Sequence, residues 1–333
     1  MMKLEIGKIP AELLEEIVLD PIRRNQKKRN DIVIRPQTGE DCSACDMGEE
    51  YCVFSTDPIT GTVNHIGASV VHINCNDAAS SGAEPVGILI TVLLPPGSSD
   101  DILREIMQDA YDVASKLQIE ILGGHTEVTD AVTRPVVSGT VIAKTAKRNF
   151  ISSGGAQIGQ GIIMTKWAGI EGTAIIANDY EDKLKGKISE DILEKAKNLN
   201  SMISVVKEGN IAAQFGATAM HDATEGGIYG AVWEIADCSQ KGIELLQDSI
   251  PVLEETRLIC KTAGVDVYRL VSSGTMIITS FYPEKLVAKL RQEGIPASII
   301  GWVTGGDQKI LVANGKRQLL CQPKSDEIYH VKL

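Results

Sequence analysis

The sequence predicts an α/β protein built as two layered domains of similar size. Three observations lead there. Short apolar strands alternate with helical stretches in two successive runs. A polar, aperiodic segment at 145–160, carrying Ser152-Ser153-Gly154-Gly155, separates the runs. The 333 residues suffice for two ordinary domains, and 43% apolar against 23% charged residues is a globular composition. Aromatics reach only 4%, so the cores must be built from Ile, Val, Leu and Ala.

Residues 1–30 read as a short helix with Pro10 in its first turn, followed by the basic connector Arg23-Arg24-Asn25-Gln26-Lys27-Lys28-Arg29. The first domain spans 31–146. Its strands 31–35 and 51–55 come first, the second ending on Thr56-Asp57-Pro58. Stretch 65–82 is a buried helix rich in small residues, and 86–94 is a continuous apolar strand stopped by Pro95-Pro96. Ser98 or Ser99 caps a helix to about residue 117, with Ile102, Ile106, Ala110 and Val113 at helical spacing. Strands 119–122 and 136–144 complete the sheet. The second domain spans 155–322. It holds strand 161–166, helix 172–178, a long helical stretch 189–215 and strand 217–220. Strand 242–245, helix 253–263, strand 270–279, helix 283–293, strand 297–303 and a hairpin to residue 320 follow. No short fixed-period repeat is present.

A net charge of −11 argues against nucleic acid, whose phosphates need clustered Lys and Arg. The one basic run reads as a solvated linker. Lys3, Glu5 and Lys8 interrupt the apolar stretch near the start, so no secretory signal is expected. The longest uncharged run, between Asp57 and Asp77, carries Asn64, His65, His72, Asn74 and Asn76, so no membrane helix is expected either. These readings place the protein in the cytoplasm. Seven cysteines at irregular spacing make no disulfide framework. Cys42 and Cys45 form a C-x-x-C near Cys52, but no second such pair completes a zinc site, and the thiols read as reduced.

Chemistry is concentrated in five clusters at element ends. They are Gly39-Glu40-Asp41, Thr56-Asp57, Asn76-Asp77-Ala78-Ala79 with Gly82-Ala83-Glu84-Pro85, Gly123-Gly124-His125-Thr126-Glu127, and Asp222-Ala223-Thr224-Glu225-Gly226-Gly227. In the last, a strand ends in a polar turn and an amphipathic helix begins. Its paired glycines let backbone amides approach an anion, although Asp222 or Thr224 could equally be a helix cap. Aspartates ending several strands of one sheet can converge on Mg²⁺, the hard cation that nucleoside triphosphates require. Cations also let an acidic protein bind an anionic ligand. No Walker loop, dinucleotide fingerprint or kinase signature offers another route. His125 follows two glycines and could serve as a general acid or base, touch a phosphate, or simply pack against backbone. Thr165-Lys166-Trp167-Ala168-Gly169 makes a second strand-to-helix turn that could hold substrate or phosphate at a helix N-terminus, with Lys166 read as a plain surface charge.

In order and content the five clusters resemble the aminoimidazole-ribonucleotide (AIR) synthetase superfamily over roughly residues 31 to 320, and the overall pattern is most similar to its hydrogenase-maturation HypE group. The resemblance implies an N-terminal domain that pairs with its twin into a dimeric β-barrel, a C-terminal α/β domain, and ATP in the groove between them. It implies Asp41, Asp57 and Asp77 as Mg²⁺ ligands. Gly39, Asn76, Gly123, Gly124, Thr126, Thr224, Gly226 and Gly227 are the implied nucleotide contacts, and His125 and Asp222 the catalytic groups. The expected activity is ATP-dependent phosphorylation of a carbonyl, amide or similar oxygen on a small-molecule or protein-borne acceptor. A homodimer is expected, with a maturation protein as a further partner; a nucleotide-binding scaffold without turnover is the alternative. HypE proteins end in a cysteine that accepts a carbamoyl group, whereas Cys321 here stands twelve residues before Leu333. Selenophosphate synthetases share the Gly-Gly-His form, a further alternative as phosphotransferase, but carry an early Cys followed by Lys. No Lys follows Cys42-Ser43-Ala44-Cys45-Asp46. Thiamine-monophosphate kinases carry Asp where His125 stands.

Overall fold

A computed structural model describes residue 7 and residues 9–25, 27–60 and 64–333. The reading of Lys3, Glu5 and Lys8 lies outside them. Helix α1 (Ala11–Leu14) begins after Pro10, passes through a π-helical turn and continues as α2 (Asp20–Asn25). The first sheet contains β1 (Ile32–Ile34), β2 (Ser43–Asp46), β3 (Glu50–Ile59), β4 (Glu84–Leu94), β5 (Glu120–Val128) and β6 (Val136–Ala146). Its order is β1-β2-β3-β6-β4-β5. Only β4 and β5 run parallel, because α4 (Asp100–Leu117) crosses over between them.

Helices cover one face of this sheet. Ile88, Ile90 and Val92 of β4 pack under Ile66, Val70 and Val71 of α3 (Ile66–Ser80) and under Ile106 and Ala110 of α4. Helix α3 is buried on nearly every side, as its small-residue composition requires. It lies on β3 and β6, and also touches α8 (Val206–Gln214) and β8 (Ala217–Asp222) of the second half. The other face of the first sheet is bare. Val86, Leu89 and Leu122 are exposed there, Leu122 at 49%.

The second sheet has seven strands in the order β13-β12-β9-β11-β7-β10-β8. They are β7 (Gly161–Thr165), β8, β9 (Gly242–Leu246), β10 (Met276–Ser280), β11 (Ala297–Thr304), β12 (Lys309–Ala313) and β13 (Lys316–Leu319). Only β9 and β12 are parallel. Alternate residues feed two cores. Ile162, Met164 and Ile277 pack towards α9 (Gly227–Cys238), while Ile163, Met220 and Ile278 pack with Leu286 and Leu290 of α11 (Pro283–Gln292). Helices α5 (Ile170–Asp179), α6 (Glu181–Leu184), α7 (Glu190–Lys197) and α10 (Glu254–Ala263) form a further layer with its own core. The architecture is therefore mixed α/β with two mostly antiparallel sheets. Among the described residues no helix is long and apolar enough to cross a membrane.

Four expectations need correction. The helical stretch at 189–215 is broken into α7, a 3₁₀ turn (Asn198–Met202) and α8. Distant side chains hold the break: Asn76 of α3 donates to the Ile203 carbonyl and accepts from the Val205 N–H, both at 2.9 Å. Lys166 donates to the Met202 and Ser204 carbonyls, so it is a clamp and not a surface charge. Thr56-Asp57-Pro58 does not end a strand but lies within β3, opposite 138–140 of β6. Pro58 is tolerated because β2 no longer pairs there. Gly123-Gly124-His125-Thr126-Glu127 likewise lies inside β5. A Cβ at Gly124 would run into the Ile90 carbonyl, so the glycine permits close strand pairing. Finally, β10 is shorter than 270–279, because Ser272 to Gly274 turn before it.

Candidate functional site

Four aspartates gather from four segments where α3 meets β8. Asp57 lies in β3, and its backbone N–H donates to Asn74 Oδ1 at 3.0 Å. Asp77 lies in the C-terminal half of α3, where Oδ2 accepts from Ser55 Oγ at 2.6 Å. Asp222 ends β8, and its Oδ1 accepts from Ser80 Oγ at 3.3 Å. Asp41 sits in the loop before β2. Gly39 backs that loop onto α9 so tightly that a Cβ would meet the Glu234 carbonyl at 3.2 Å.

Proton affinities record this convergence. Burial first, then the charges of Asp222, Asp57 and Asp41, push the Asp77 carboxyl well above its usual range. Burial and Asp41 push Asp222 up to about 7, although His221 opposes them. Burial also pushes up the Cys42 thiol, with Asp77 adding to it.

His221 was not singled out from the sequence. It is 2% exposed, with Nδ1 2.9 Å from Asp41 Oδ2 and Nε2 2.8 Å from Glu234 Oε2. Burial disfavours its charged form, but Asp41 and Glu234 outweigh burial and hold its pKa well above the ordinary value. A histidine beside Asp222 was the only local signal. Glu234, two turns into α9, had none.

Asp222 does not cap α9; the cap residue is Gly226, in the left-handed region. The second carboxylate oxygen of Asp222 is buried and accepts no hydrogen bond. Such an orphan beside three further carboxylates fits a divalent cation, which binds oxygen donors and cancels their repulsion.

The remaining expected contacts fall elsewhere. The Gly226 N–H donates to Asp326 Oδ2 at 2.7 Å, and the Gly227 N–H donates to the Thr224 carbonyl. The C-terminal segment thus covers this turn, with Tyr329 also donating to Glu225 Oε1 at 3.0 Å. Gly123, Gly124, His125 and Thr126 lie on β5, three strands from β3 and so roughly 14 Å away at normal strand spacing. His125 shares a cross-strand row with Thr91 and Ser138 on the bare face, and its Nε2 meets Glu127 Oε2 at 3.1 Å. Within one chain it does not join the aspartates. Asn76 is buried and both ends of its amide bond backbone.

Known proteins are similar to this chain in sequence and in fold. A protein of Methanocaldococcus jannaschii, assigned provisionally to hydrogenase expression and formation, is 26% identical over 98% of this chain and 97% of its own. The carbamoyl dehydratase HypE of Bradyrhizobium diazoefficiens is 26% identical over 72% of this chain and 69% of its own. The crystal structure of the hydrogenase-maturation protein HypE in complex with ATP matches with a TM-score of 0.69 at 22% identity, covering 95% of each chain. Residues 39–145 match the N-terminal domain, and residues 157–314 the C-terminal domain, of the AIR synthase related proteins, and the chain belongs to that family.

Proposed function

We propose that this chain is an ATP- and divalent-cation-dependent enzyme that phosphorylates a carbonyl, amide or similar oxygen on a small-molecule or protein-borne acceptor. The observation that carries the reading is the orphaned Asp222 oxygen, buried among Asp41, Asp57 and Asp77. A cation held there supplies the positive charge that phosphate oxygens need in a protein of net charge −11. The protein supplies position. Ser55 and Asn74 fix Asp77 and the backbone at Asp57, Ser80 fixes one oxygen of Asp222, and His221 fixes Asp41. Phosphorylation makes an amide oxygen a leaving group, which suits the dehydration named in one relative.

Mg-ATP should raise the melting temperature, and EDTA should abolish the gain. At a ligand concentration about 100 times Kd, the stabilisation is roughly 2.7 kcal/mol. A melt unmoved by millimolar Mg-ATP overturns the reading. A second reading, a nucleotide-binding scaffold for metalloenzyme maturation, is favoured by the relative assigned to hydrogenase formation. ADP release that depends on an added amide or carbamoyl acceptor separates the two, since only the enzyme produces it.

The bare face of the first sheet supports a homodimer. Val86, Leu89 and Leu122 are exposed beside the unpaired edge of β5, an arrangement that a second copy would cover. Light scattering at micromolar concentration should give twice the chain mass, about 72 kDa from the 35.8 kDa chain. A single-chain mass counts against the dimer.

A further inference from the structure

We propose that one cation position in this cluster is a mixed nitrogen–oxygen site, formed by Asp41, Asp222 and Nδ1 of His221, that takes a transition-series divalent cation such as Mn²⁺ in preference to Mg²⁺. The inference rests on the reading that the aspartate cluster binds cations, and it assigns the cation class at that site.

Four observations converge. The three residues offer ligand atoms that all lie within 4.8 Å of one another. Two of those residues are almost wholly buried, Asp222 at 1% and His221 at 2%, and Asp222 Oδ2 accepts no hydrogen bond. Nδ1 stands 2.9 Å from Asp41 Oδ2. Two ligands each about 2.1 Å from an ion and at right angles stand about 3.0 Å apart, so the pair already has the spacing of neighbouring ligands. Lastly, Glu234 Oε2 accepts from Nε2 at 2.8 Å. Once a cation takes the place of the Nδ1 proton, that bond keeps the N–H on Nε2 and aims the Nδ1 lone pair at the cluster, as outer carboxylates do for metal-bound histidines.

A purely structural Asp41–His221–Glu234 chain would leave the Asp222 oxygen unexplained. Selectivity follows from the donor set. Mg²⁺ favours all-oxygen octahedra, which Asp57 and Asp77 can serve, whereas imidazole suits Fe²⁺, Ni²⁺ and Zn²⁺, and Mn²⁺, though fond of oxygen, gives up water more readily than Mg²⁺ and accepts a mixed nitrogen–oxygen set. Asp41 is one-third exposed, so a cation can enter from solvent.

The test uses the full chain, stripped with chelator and free of nucleotide, and titrated with MnCl₂ or MgCl₂ alone. Pulsed electron paramagnetic resonance of the Mn²⁺ form should show coupling to one histidine nitrogen, a readout that needs no variant. Mn²⁺ should bind at least about tenfold more tightly than Mg²⁺. His221→Asn should weaken Mn²⁺ roughly 10–100-fold while changing Mg²⁺ only a few-fold, and Glu234→Gln should weaken Mn²⁺ by a smaller factor. Absence of nitrogen coupling, or equal Mn²⁺ affinity in parent and His221→Asn, overturns the mixed site. Asp222→Asn distinguishes the two levels. If it weakens both cations while His221→Asn weakens neither, only this inference fails. If it weakens neither, the cation reading of the cluster fails with it.

Discussion

Asp222→Asn is expected to make the cation-free protein more stable at pH 8 than the parent, by on the order of 2–4 kcal/mol. The sign follows from proton linkage. The folded-state pKa of Asp222 is raised to about 7 from an ordinary value of 3.8, mainly by burial and then by Asp41. Between those values the folded state binds more protons than the unfolded chain, so stability falls as pH rises. Above about 7 the carboxylate is charged in both states and the full penalty is present. Asparagine keeps the shape and carries no charge, so this part of the fall disappears. The fall is not abolished, because Asp77 is raised too and Glu171 is pushed up to about 7, mainly by burial. His221 acts in a higher window. Its raised pKa contributes stability that is complete below about 6.5 and is lost as pH rises through its folded value. Scanning calorimetry from pH 4.5 to 8.5 should show the variant melting several degrees above the parent at pH 8, with the gap narrowed to about 1 kcal/mol by pH 4.5. Saturating Mg²⁺ should reverse the order, because the ionised carboxylate is then a ligand. A parent whose stability is flat between pH 5 and 8, with no gain in the variant, would falsify the electrostatic account of the cluster.

The sequence displays those carboxylates more openly than the groups around them. Asp41, Asp57, Asp77 and Asp222 each stand near an element end or a small-residue stretch, where composition marks them. Their convergence is tertiary, arising because α3 is buried between the first sheet and β8. His221 and Glu234 are thirteen residues apart on a strand and a helix, and no periodicity links them. Secondary structure divides the same way. The helix at 100–117 and the strand before Pro95-Pro96 are legible because period and terminators are local. Strand β5 runs through two glycines because pairing with β4 overrides their weak strand preference. Strand β2 hides in a polar cysteine segment four residues long, visible only through its partners β1 and β3. The break after α7 is set by Asn76 and Lys166, both more than thirty residues away.

Asn76→Ala should therefore act on the fold before it acts on any ligand. The Asn76 side chain is fully buried, and its amide donates to the Ile203 carbonyl and accepts from the Val205 N–H, both at 2.9 Å. Alanine leaves that carbonyl and N–H facing a small void, without partners and out of reach of water. Each orphaned group costs about 1–3 kcal/mol, so a loss of roughly 2–5 kcal/mol is expected, equivalent to a melting point lower by roughly 5–15 °C. Asn76→Asp tests the geometry at nearly constant volume. It keeps an acceptor for Val205, but it turns an acceptor towards the Ile203 carbonyl and adds charge beside Asp77, so it should destabilise at least as much. Mg-ATP affinity, measured well below the melting point, should change only a few-fold in the alanine variant, because Asp57 and Asp222 are anchored independently by Asn74 and Ser80. The opposite pattern, an unchanged melt with nucleotide affinity lost more than tenfold, would make Asn76 a ligand contact and would mean that the connection from α3 to 203–205 does not hold the two sheets together.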